Sequence, residues 1–192
     1  MAITEATAQK VKLTRTPMFT GIVLFLISEV FLFGSLFWTY YYLRHFTPVW
    51  PPAGVTIDRT LASINTAVLL LSSLTVWLAT RAIQRGSQRG LALGLGATAA
   101  LGATFLGITF WEWFHESFQP WSHAYGSIFF TLTGFHGLHV FFGVLLLLVL
   151  LVRTMRQKYT AQSHLSVEIG SIYWHFVDFI WLFVFSTIFI VK

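Results

Sequence analysis

Five stretches of this chain are apolar, almost uncharged and long enough to cross a bilayer. They run from about Met18 to Leu43, Leu61 to Thr80, Leu91 to Trp111, Tyr125 to Val152 and Ile169 to Val191. A spanning helix needs about 20 mostly apolar residues. In hydrocarbon every backbone N–H and C=O must be satisfied internally, which leaves only helices and closed barrels. The alternating pattern of a barrel strand is missing. The runs therefore predict an all-α, polytopic membrane bundle of five transmembrane helices over residues 18–192, preceded by a short tail, 1–17. Composition agrees: 10% of the 192 residues are charged, against about 25% in a soluble domain. A disordered chain is excluded too, because hydrophobic residues make up 56%. Lys10, Lys12 and Arg15 precede the first run as they would a signal peptide. The run is too long for a signal h-region and no small-residue cleavage site follows, so it is expected to be retained.

The charges lie between the runs. One side holds Lys10, Lys12, Arg15, Arg81, Arg85, Arg89, Arg153, Arg156 and Lys158; the other holds Arg44, Arg59 and Lys192. Nine against three puts the N-terminus in the cytoplasm and the C-terminus outside. The net charge of +5 is then the basic rim of a membrane protein and not a nucleic-acid footprint. Arg81, Arg85, Arg153 and Arg156 are candidates to meet anionic lipid headgroups. With no cysteine, the chain has no disulfide, thiolate copper site or thioether haem attachment. In the third run, Gly90 and Gly94 form a G-x-x-x-G that Thr98 and Gly102 continue, a ridge that suits close helix packing.

Ionisable side chains inside the runs need partners, since a charge at mid-bilayer costs about 2.5–3.5 kcal/mol or more. Glu29 lies about 16 Å from the cytoplasmic end of the first run, His136 about 15 Å from the outer end of the fourth, and Asp178 about 14 Å into the fifth. His136 with His139, and His175 with Asp178, fall three apart and share helix faces. A buried polar network tying spans one, four and five is expected, with Glu29 bonded to a span-four histidine, foremost His136. Glu29 should also be the acid most reactive toward hydrophobic carboxyl reagents. Glu112 and His115 make one E-x-x-H at the end of the third run; di-iron bundles use two. His45, His115 and His123 fall outside and His164 inside, a scatter that argues against one metal centre. No phosphate loop or nucleophile elbow is present. Catalytic and metal-ligating residues are therefore expected to be absent. A membrane di-iron or haem enzyme and a proton-coupled transporter stay open on spacing alone.

Several strings, in order, carry a resemblance. These are FLISEVFLFGSLFWTYYYLR around Glu29, VWPPAGV from Val49 to Val55, and TFWEWFHES around Glu112. GSIFFTLTGFHGLHVFFGV opens the fourth run and YWHFVDFIWLFVF the fifth. Together they resemble subunit III of the haem–copper terminal oxidases, the cytochrome c oxidase and quinol oxidase superfamily, from about Pro17 to Val191. The resemblance implies a chain without haem or copper, packed on the subunit I that holds both. It implies a role in lasting turnover and proton uptake within an oxygen-reducing complex with subunit II and smaller subunits, in a bacterial inner membrane. Glu29 matches the family's carbodiimide-reactive glutamate. His136 and His139 match its histidine pair, His175 and Asp178 its YWHFVD motif, and Glu112 the acid ending the preceding helix. Bound phospholipid is another family feature. Many members have seven spans, and the lipid cleft lies behind the two extra helices. This chain resembles the five-span form. Glu29 and the VWPPAGV loop favour the cytochrome c branch over a quinol oxidase.

Overall fold

The computed structural model describes residues 17–191; Lys10, Lys12, Arg15 and Lys192, used above to orient the chain, lie outside them. Five long helices follow one another: α1 Pro17–Phe46, α2 Arg59–Gln84, α3 Gln88–His115, α4 Ala124–Met155 and α5 Leu165–Phe185, which runs on into a π-helical turn, Ser186–Ile190. No strand occurs among the described residues. All five are long and apolar enough to span a membrane. At 1.5 Å per residue α1 to α4 are about 39–48 Å long, more than the roughly 30 Å of hydrocarbon. Helices α1 to α4 outrun the apolar runs that predicted them, whereas α5 starts earlier than its run and ends before Val191. Polar caps start α2, α3 and α4 in the headgroup region. Asp58 accepts from the backbone N–H groups of Thr60 and Leu61, Ser87 from Gly90, and the His123 ring from Gly126. Gly86, at φ +81°, makes the tight α2–α3 turn, where a side chain would be strained.

Between membrane helices lipid removes most of the hydrophobic drive, so close packing and hydrogen bonds hold the bundle. The glycine ridge of α3 lies against α2. A Cβ on Gly94 would stand 2.5 Å from that of Ala79, and one on Gly90 2.7 Å from that of Ala82. Farther along, Thr75 and Thr98 share a hydrogen bond of 2.8 Å. Trp174 of α5 sits at the centre, fully buried, its ring in a notch between Gly102 of α3 and Gly143 of α4. Its indole N–H donates to Ser72 at 2.9 Å, and two turns on, Trp181 donates to Thr66 at 2.9 Å. Asn65 donates to Thr109 at 3.1 Å. Helix α2 thus binds α3 and α5 through one polar stripe. Helix α1 stands apart, packed mainly on α4 and α5, with just Phe33 and Tyr40 buried.

Candidate functional site

At mid-depth α1 meets α4 and α5, and here Glu29 finds its partner. The partner is His139, at 2.9 Å, and not His136. The other ring nitrogen of His139 lies 2.7 Å from the carbonyl of Phe135. A carbonyl only accepts, so Nδ1 carries a hydrogen. The contact between Nε2 and the carboxylate then holds one more proton, whichever atom owns it. The pair is electrically neutral in both forms, which is what a low-dielectric setting demands. Tyr173 of α5 donates to the backbone carbonyl of His139 at 3.0 Å and fixes that turn of α4. The carboxylate and imidazole side chains keep 12% and 16% exposure. They border a cavity of about 520 Å³ with apolar walls from Ile22, Phe25, Leu138 and Phe142. Because these residues sit mid-helix, the cavity opens sideways, toward where acyl chains would lie.

The remaining intramembrane residues do not join this pair. His136 is 1% exposed and points inward, stacked obliquely on Trp181 at 4.9 Å and edge-on to Phe105 at 5.7 Å, with no hydrogen-bond partner on either ring nitrogen. His175 bonds Ser73 of α2 at 2.7 Å. Asp178, buried one turn from both Trp174 and Trp181, lies near the same serine without a full hydrogen bond. The single expected network is therefore three separate groups. Residues three apart on a helix differ by about 60° in direction, and that angle sends His139 to α1 and His136 into the core. Tyr173, Ser73 and the α2 stripe of Asn65, Thr66, Ser72 and Thr75 were not singled out in the sequence. Their signal was there: polar side chains recurring along one apolar run.

Glu112 closes the end of α3 beside Asp58 and Glu116. Burial, with the Asp58 charge next to it, pushes the Glu116 carboxyl up to about 7. Of the basic candidates at the opposite end, Arg81 stacks over Trp77 at 4.3 Å and Arg153 over Tyr159 at 5.5 Å. Arg85 caps α2. Arg153 and Arg156 border an apolar groove along Leu145, Leu148 and Val152.

The family model described as "Cytochrome c oxidase subunit III" matches residues 2–192. The chain belongs to this family. It is 40% identical over 171 residues to the cytochrome c oxidase subunit 3 of Thermostichus vulcanus, covering 88% of this chain and 85% of that one. To that of a Synechocystis strain it is 38% identical, over 88% and 74%. The subunit 3 of the lancelet Branchiostoma lanceolatum is 40% identical over 88% of this chain and 67% of its own. This is a multi-pass membrane chain of a haem–copper oxidase subunit III family, whose named relatives belong to an oxidoreductase complex. The two histidine-bearing strings of the sequence, HGLHV and YWHFVD, are the ones that place His139 against α1 and His175 against α2.

Proposed function

We propose that this chain is the non-catalytic subunit III of a proton-pumping oxidase that takes electrons from cytochrome c. It packs on the subunit I that carries haem and copper, beside subunit II, in a bacterial inner membrane with the N-terminus in the cytoplasm. The names of its relatives support the cytochrome c branch. The observation that carries the supporting role is the Glu29–His139 pair. It holds one shared proton at mid-depth that can pass between carboxylate and imidazole without changing the net charge, and it ties α1 to α4 beside Tyr173 of α5. Such a pair stiffens the subunit and sets local proton access without touching oxygen chemistry. Phospholipid in the cavity beside it would keep water out, with Arg153 and Arg156 suited to headgroups.

Replacing Glu29 with Gln or Ala tests this in the intact complex. Oxygen consumption should fall far less than the roughly 10²- to 10⁴-fold that losing a general acid or base costs. Activity should decay sooner under sustained turnover. A loss of catalytic size with assembly unimpaired would place Glu29 in the reaction itself.

A further inference from the structure

Between the start of α2 and the end of α3 lies a cavity of about 370 Å³, with three acidic residues, Asp58, Glu112 and Glu116, in its lining. Asp58 is already committed to capping α2. Glu112 is not committed. It is only 7% exposed, and its Oε1 is buried without a hydrogen-bond partner. A buried acceptor left unmade is costly, and more so when charged. Among the described residues no Lys or Arg comes within 4.0 Å of any of the three acids. Arg59, next to Asp58 in the chain, does not line the cavity.

The acids are spread too widely for a metal: among the described residues no three His, Asp or Glu side chains are placed to hold one. A guanidinium suits them better, since its five N–H donors fan out in one plane. One wall is flat and aromatic, Trp111 and His115 stacked with ring centres 3.9 Å apart. Such a face attracts a planar cation. Ile57 and Leu61 offer an apolar floor for the aliphatic stem. Around the mouth, Phe114 is 84% and Trp121 82% exposed. Aromatic residues and arginine are what protein interfaces enrich. We infer that this cavity is a socket for an arginine side chain presented by a neighbouring subunit. The inference rests on the chain's place in an oxidase complex.

The test uses the whole complex. Asp58→Asn keeps the helix cap, since Asn caps as well as Asp, and Glu116→Gln alters a half-buried loop residue; the double variant removes two carboxyl groups without touching the core. Copurification of the wild-type chain with a haem-bearing partner checks the complex itself, separately from the socket. In the double variant, roughly tenfold more of this chain should wash off at a fixed salt concentration in mild detergent, the scale of a lost charged contact. Phenylglyoxal labelling with mass spectrometry should find one arginine of another subunit shielded in the wild type and reactive in the variant. Unchanged retention overturns the proposal. So does a labelling change confined to Arg59, which would mean the chain fills its own socket. A retention defect that ethanolamine-headgroup lipid restores, with no arginine unmasked, also overturns it in favour of a lipid ammonium.

Discussion

His136 and His139 are one turn apart on one helix and behave as different kinds of residue. His139 has two hydrogen bonds to lose, one of them to Glu29. His136 has none, and its neighbours are rings. Removing one partner of a buried pair strands the other, at about 1–3 kcal/mol. His139→Phe should therefore destabilise the complex by that amount. His136→Phe replaces an unpartnered polar ring by an apolar one of similar shape, and should cost less than about 1 kcal/mol. Unfolding in increasing denaturing detergent reads both. An H136F variant less stable than H139F would mean that the inward histidine holds a partner of its own. The strings around both histidines resembled the family's, yet their division of labour was not legible, because spacing gives a shared face and not the neighbour that the face meets.

Among the elements, the α2–α3 hairpin was the most readable. The Gly90–Gly94–Thr98–Gly102 ridge pointed to close packing; its first three members pack against Ala82, Ala79 and Thr75 of α2 in order, and Gly102 makes room for Trp174 of α5. At Gly94 an added Cβ would also meet the Ala79 backbone at 2.9 Å and the Thr75 carbonyl at 3.1 Å, so nothing soft can move aside. Gly94→Leu should wedge the two helices apart and cost about 1–3 kcal/mol, the usual range for overpacking. The same detergent titration measures it, with Gly107→Leu as the control, since no atom lies within 4 Å of that position. Equal effects at the two glycines would show that the close approach carries no strain. Helix ends were read less well. The apolar runs began one to three residues late at the starts capped by Asp58, Ser87 and His123, and stopped three or four residues early at the ends of α1 to α4, because the terminal turns are polar and lie beyond the hydrocarbon.

At the level of the molecule the bundle is lopsided. Helices α2 to α5 share the buried Trp174 core, while α1 leans on α4 and α5 with most of its surface exposed and apolar. Such a surface belongs in lipid or against another subunit. A mild-detergent extract should bring this chain out with a large haem- and copper-bearing partner. Harsher detergent should separate the chain colourless and free of stoichiometric iron, by visible difference spectrum and metal assay. A lone chain that keeps iron would make His136, His139 and His175 candidate ligands.

The sequence by itself determined five spans, their all-α character, the family and the identity of the intramembrane polar residues. Those follow from local facts: run length, charge deficit and ordered strings of residues. Only the tertiary structure decided that Glu29 pairs with His139, that His136 turns inward, that α2 carries the polar stripe, and that Asp58, Glu112 and Glu116 converge on one cavity. Each of these depends on which helix stands beside which and at what rotation. Apolar runs that face lipid on one side and helices on the other leave that rotation unspecified until the bundle is packed.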